Sequence, residues 1–337
     1  MRKLLQDNLQ QEIIASVKKS LTFDILYQRI RPDISPFIAA TSTLPLKNLD
    51  DWDRLIRDTL SSSVSLPPPQ HIGLSCHWMG SLSWLDMCHP DGFRRERALR
   101  TLCVKAPNSF LFALAVRRLN DWVPQVRNAA CEALPLIAEL SDADIIVDVL
   151  FITLPYWNSW GRMGDAEKKS LLAILTMDKV VQALKKRLIS STSGPVATIF
   201  MQAGRTGGLD TALGEIAELS VQPTLRAKAW RCLLDGKFVW AEGKRWHWID
   251  KAYGLRRRVP VLNERRIAKT STFLECLKRA TLDRSAMVRR VAGEMLIKEL
   301  DNLGEDAVYL ANLLAADLSP SVAERGRFAL ADLAKRE

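Results

Sequence analysis

Apolar residues recur along this chain with a helical period, and the pattern itself repeats. Val126, Ala130 and Leu134 form one stripe four residues apart, and Val288, Ala292 and Leu296 form another. Leu225, Ala229 and Leu233 follow the same frame, as do Val322, Gly326 and Leu330, with a poorer copy in Arg95, Ala98 and Leu102. An aliphatic residue, a small one and a leucine on one face make a helix with a groove into which a neighbour can pack closely. Upstream of these stripes lie further apolar-periodic segments, Ser109 to Leu119, Ser271 to Ala280 and Ala307 to Ala316, each ended by a short turn. The predicted unit is a helical hairpin. Offsets of 162 residues between Asp121 and Asp283, and 34 between Asp283 and Asp317, fit a repeat of about 33 residues.

Between 141 and 204 the pattern predicts helices at Ala143 to Thr153, Asp165 to Met177 and Lys179 to Leu188, read as degenerate copies. Residues 1–62 predict two or three helices, one carrying Leu5, Leu9, Ile13, Val17 and Leu21 on a stripe, which would cap the array. Ser61 to His71 contains Pro67 to Pro69, which lack backbone donors, and predicts a linker without helix. Residues 63–90 form a Pro-, Trp- and His-containing connector. The repeats occupy 91–337, interrupted at about 236–269, where the 63-residue spacing from 220 to 283 fits either two units or one unit with an insertion of about 30.

The frame Asp-x4-Val-Arg-x2-Ala-x3-Leu, seen at Asp121, Val126, Arg127, Ala130 and Leu134 and again at Asp283, Val288, Arg289, Ala292 and Leu296, resembles the second helix of HEAT repeats. That resemblance implies an all-α fold, a right-handed α-solenoid of helical hairpins, with Asp121, Arg127, Asp283 and Arg289 forming a ladder between adjacent repeats. The copy at Asp317 carries Ala323 where the arginine is expected, as an atypical terminal repeat would.

Composition adds little until charge is mapped. Hydrophobic content of 47% and charged content of 26% suit a globular chain. No apolar run is long enough to span a bilayer, no membrane partner is expected, and the six scattered cysteines predict a cytoplasmic, reducing setting. The net charge is +10, yet Arg226 to Lys269 alone holds 13 Lys plus Arg against 4 Asp plus Glu. Lys244, Arg245, Trp246 and Trp248, with Arg256, Arg257, Arg258, Arg265 and Arg266, mix cations with aromatics. These residue types neutralise phosphates and stack on bases, and they equally suit an acidic protein face.

Other chemistry is thinner. His71, Cys76, His77, Cys88 and His89 gather zinc-type ligands but lack the paired spacing of a zinc site, so no metal or cofactor is expected. Gly204 to Gly208 reads as a turn, and Asp142, Asp144 and Asp148 read as acids at a helix start. His247 reads as a contact or packing residue, and no catalytic residue is assigned. The leading expectation is a non-enzymatic scaffold that holds a protein partner, with no small-molecule substrate. The alternatives are a nucleic-acid-binding solenoid using the 226–269 segment, and an enzyme similar to the HEAT-like DNA glycosylases, onto whose active site no residue here aligns.

Overall fold

The structure, a computed structural model, describes residues 7–21, 23–24, 29–30, 33–64, 83–268 and 271–335. The described chain is mostly helical and divides into two compact units, Met1–Val180 and Val181–Glu337.

In the first unit the helices are α1 (Asp7–Ser20), α2 (Ser35–Ser42), α3 (Leu49–Val64), α4 (Ser83–Asp86), α5 (Gly92–Thr101), α6 (Ser109–Arg117), α7 (Pro124–Leu140), α8 (Ala143–Thr153) and α9 (Asp165–Ile174). The unit boundary falls within α10 (Asp178–Ser190). A short antiparallel pair, β1 (Phe23–Asp24) with β2 (Arg29–Ile30), lies near the N-terminus. Helix α7 packs between α5 and α9, while α6 packs on α8, so each layer is built from alternate helices. Ile13 and Val17 are buried, and α2 and α3 pack on α6, where Asn108 Nδ2 donates to Thr41 Oγ1 (3.0 Å).

Helix α3 runs four residues, Ser61 to Val64, into the segment expected to be non-helical. The hydroxyls of Ser61, Ser62 and Ser63 donate back to the carbonyls of Arg57 and Thr59, satisfying backbone acceptors in the last turn. Residues 65–82, including the prolines of that linker, lie outside the described residues.

The second unit contains α11 (Val196–Ala203), α12 (Leu213–Leu219), α13 (Pro223–Asp235), α14 (Phe273–Thr281), α15 (Ala286–Lys298), α16 (Glu305–Ala315) and α17 (Pro320–Leu333). Helix α15 packs between α13 and α17, and α14 contacts α16. The small residue of each frame sits where helices approach. Ala130, Ala229 and Ala292 are fully buried, and a Cβ on Gly326 would lie 2.2 Å from the backbone nitrogen of Ala315.

An arginine near the start of the second helix makes closely similar bonds in four of the copies. Arg95, Arg226 and Arg289 each direct Nε and Nη2 onto a single carboxylate, Asp121, Asp283 and Asp317 respectively. Arg127 reaches Glu167 instead (3.1 Å). In all four, Nη1 donates to the carbonyl six residues upstream, at His89, Asp121, Ser220 and Asp283. The expected ladder is therefore present within each unit: the acid side chain serves the preceding copy's arginine, and the backbone at that position serves its own. It ends at Asp317, six residues before Ala323.

The described part of the interruption, residues 236–268, contains no helix pair. It is an antiparallel hairpin, β3 (Lys237–Asp250) with β4 (Leu255–Arg266), a small sheet in a chain whose described residues are otherwise mostly helical, as the all-α expectation has them. Gly236, with φ 67°, ends α13 in the left-handed region, and its carbonyl accepts from Ile267 N–H (3.1 Å). Arg226 and Asp283 are 57 residues apart, against 26 and 28 for the other bidentate pairs, so the spacing is one unit plus an insertion of about 30 residues.

Candidate functional site

The hairpin has a buried root and an exposed distal half. At the root, alternate side chains point into the helical body: Phe238 is fully buried against Phe200 (ring centroids 5.1 Å apart), and Trp240, next on the same face, is buried as well. Phe238 lies over Gly204, where a Cβ would come within 2.2 Å of its ring. The Gly204 to Gly208 turn is thus the socket of the hairpin. Gln202 Nε2 and Arg205 Nη2 both donate to Ala241 O at 3.2 Å.

Arg265 belongs to this root and not to a contact surface. Its guanidinium grips Asp210 through Nη1 (2.9 Å) and Nη2 (2.6 Å), donates from Nε to Gly204 O (2.7 Å) and from Nη2 to Thr206 O, and lies over the Phe238 ring. All of its donor nitrogens are engaged, which withdraws it from the expected set of free contact residues. Arg266, the next residue, is exposed and pairs in register with Lys237, whose amine meets Glu264 (2.7 Å).

Beyond Gly243 the ribbon is exposed almost throughout. Lys244, Arg245, Trp246, His247 and Trp248 on β3 pair with Pro260, Val259, Arg258, Arg257 and Arg256 on β4. Because side chains alternate, Lys244, Trp246, Trp248, Arg256 and Arg258 share one face, while Arg245, His247 and Arg257 share the other. On the first face arginines and tryptophans interleave. The Arg256 guanidinium lies 4.3 Å from the Trp246 centroid and 5.7 Å from that of Trp248, and Arg258 lies 5.0 Å from Trp246. Contacts of this kind contribute about 0.5–1 kcal/mol each at exposed sites.

The carboxylates of the hairpin are all committed elsewhere. Glu242 accepts from Trp240 Nε1 and Asn263 Nδ2 (both 3.4 Å), and Glu264 holds Lys237. Asp250 accepts from the Ala252 and Tyr253 N–H groups and shapes the turn that Gly254, with φ 63°, completes. From Lys244 to Arg258 the ribbon carries six Lys or Arg against Asp250 alone. Among the described residues Lys244, Arg245, Arg256, Arg257 and Arg258 have no carboxylate partner. A segment with this imbalance attracts polyanions, and the twinned aromatic contacts fix where its charges sit.

The remaining sequence candidates fall apart as sites. Cys88 and His89 are both buried, whereas His71, Cys76 and His77 lie outside the described residues. Burial, with Arg94 nearby, lowers the His89 pKa to about 4; its Nδ1 accepts from Asp91 N–H (3.0 Å). Among the described residues no group of three His, Cys, Asp or Glu side chains is placed to hold a metal ion. Asp148 accepts from Ser109 Oγ (3.1 Å), while Asp142 and Asp144 are exposed at the start of α8. His247 is exposed opposite Arg257. No described helix is long and apolar enough to cross a membrane.

No family model and no curated protein matches the chain. Among solved structures it is similar to an engineered protein at 15% identity, over 98% of this chain and 79% of that one, with a TM-score of 0.28. A likeness at that level carries no argument about fold or function.

Proposed function

We propose that this protein binds nucleic acid through the distal half of the β3–β4 hairpin, carried on a right-handed HEAT-like solenoid that serves as scaffold. The observation that carries the reading is the uncompensated row of cations at Lys244, Arg245 and Arg256 to Arg258, exposed on a ribbon anchored at its root. Phosphate neutralisation needs cations not already neutralised by carboxylates, and these have no carboxylate partner among the described residues. The repeated Arg–Asp ladder supports the HEAT-like reading of the body.

A protein partner is the second reading. It draws on Leu282, 72% exposed, and Leu318, fully exposed, which flank Asp283 and Asp317 at the turns of successive helical hairpins. Such side chains suit a partner's apolar surface.

Fluorescence anisotropy with labelled single- and double-stranded DNA and RNA, titrated at several salt concentrations, tests the first reading. Submicromolar binding is expected, falling steeply with salt and weakened at least tenfold in an Arg256→Ala/Arg257→Ala/Arg258→Ala variant. Absence of binding at low salt would overturn it and favour the protein partner.

A further inference from the structure

The arrangement of Trp246, Trp248, Arg256 and Arg258 narrows the class of nucleic acid. This inference rests on the nucleic-acid reading and goes one step past it. We infer that the ribbon is built for the major groove of B-form duplex DNA, with the indoles positioning guanidinium groups instead of stacking on bases.

Both indoles already lie beside guanidinium groups, while each remains about half exposed, at 49% for Trp246 and 46% for Trp248. Trp246 carries two guanidinium groups, those of Arg256 and Arg258, and Trp248 carries one. A base stacking on Trp246 would compete with these two arginines for the ring. Stacking occupies the flat face of a guanidinium, while its N–H donors lie at the edge. Among the described residues no acceptor meets the donors of Arg256 or Arg258. A free arginine loses much rotamer freedom when it forms a bidentate bond; one already held against an indole loses less. The result is two planar forks, two residues apart on β4, of the kind that pairs with guanine O6 and N7.

Dimensions agree. A ribbon of two strands about 4.8 Å apart is of a size that a B-form major groove about 12 Å wide admits, whereas a minor groove about 6 Å wide is too narrow for it with its side chains. The ribbon from Lys244 to Asp250 extends for about 23 Å, the rise of about seven base pairs. Arg245 and Arg257, on the opposite face, point away from the base edges and add to the general attraction of the ribbon for a polyanion. The deep, narrow major groove of A-form RNA would not admit the ribbon.

The test uses the full chain with one 20-base-pair DNA duplex, each of its strands alone and the duplex RNA of the same sequence, at a fixed salt concentration. Binding of duplex DNA at least tenfold tighter than of either alternative is expected. Protection of guanine N7 from dimethyl sulfate should accompany it. Arg256→Lys/Arg258→Lys, which keeps the charge but loses the fork, should cost about tenfold on duplex DNA, and Trp246→Leu about as much; Arg266→Lys should cost nothing. Equal or tighter binding of single strands, or tight duplex binding without N7 protection, overturns the groove inference and leaves the nucleic-acid reading standing. No binding to any of the probes overturns both.

Discussion

Arg226 meets Asp283 across 57 residues of sequence through two parallel bonds, Nε to Oδ2 at 2.9 Å and Nη2 to Oδ1 at 3.0 Å. Both side chains are nearly sealed from solvent, at 1% and 8% exposure. Removing one partner of such a pair leaves a buried charge uncompensated, at a cost of about 3–5 kcal/mol. Asp283→Ala should therefore lower unfolding free energy by about that amount in urea titrations. Replacing both residues, as Arg226→Met/Asp283→Leu, should recover most of it, and a single-variant cost below about 1 kcal/mol would contradict the buried-pair account.

The hairpin's root gives a steric prediction. Gly204→Ala places a methyl group 2.2 Å from the Phe238 ring and should destabilise the protein by about 1–3 kcal/mol. Because the clash is with one side chain, Gly204→Ala and Phe238→Ala should be non-additive, with a coupling visible in a double-mutant cycle. Strict additivity would mean that Phe238 does not occupy the socket.

Protonation of His89 gives the third. Burial and Arg94 hold its folded pKa at about 4, below the ordinary 6.5, so the neutral form is the one the fold accepts. Its contribution to stability is complete above about pH 6.5 and is lost as pH falls toward 4, because the unfolded chain takes up the proton first. In His89→Asn, which keeps an acceptor for Asp91 N–H, Tm should change less between pH 6.5 and 4 than in the wild type. Identical slopes in that window would refute the assignment. Asp317 behaves differently: the bonds from Arg289 and Ser319, acting against burial, hold its carboxyl below the usual range, so its contribution fades only at more acid pH.

The exposed ribbon can be removed without its root. Joining Gly243 to Val261, which face each other in register, through Asn-Gly replaces residues 244–260 with a two-residue turn. The shortened protein should keep its helical circular dichroism and melt within a few degrees of the parent, while losing nucleic-acid affinity. Retained affinity would place the binding surface elsewhere.

The helical body was legible because a small residue between two aliphatics four positions apart leaves a strong mark on sequence: Ala130, Ala229 and Ala292 all sit at buried helix contacts. The hairpin was less so. Its period-two signal exists in Phe238 with Trp240, Trp246 with Trp248, and Val259 with Val261, but register shifts at Ala241/Gly243 and Trp248/Asp250 break the alternation into short pieces. Charge counting found the segment and could not separate its arginines. Arg265 and Arg256 look alike in sequence, yet one meets Asp210, 55 residues upstream, and the other lies over the indoles of Trp246 and Trp248. Contacts across such distances leave no local trace.

A ribbon of two strands has two open edges, each a row of backbone groups able to pair with a stranger. Ile249, Tyr253, Leu255 and Leu262 are exposed along this one, a combination that ordinarily invites strand-to-strand aggregation. Pro260 removes one donor from its edge, the bulges twist the rest, and the crowd of like charges makes the approach of a second ribbon repulsive. The cations are thus a guard: their mutual repulsion keeps each molecule from recruiting its own kind.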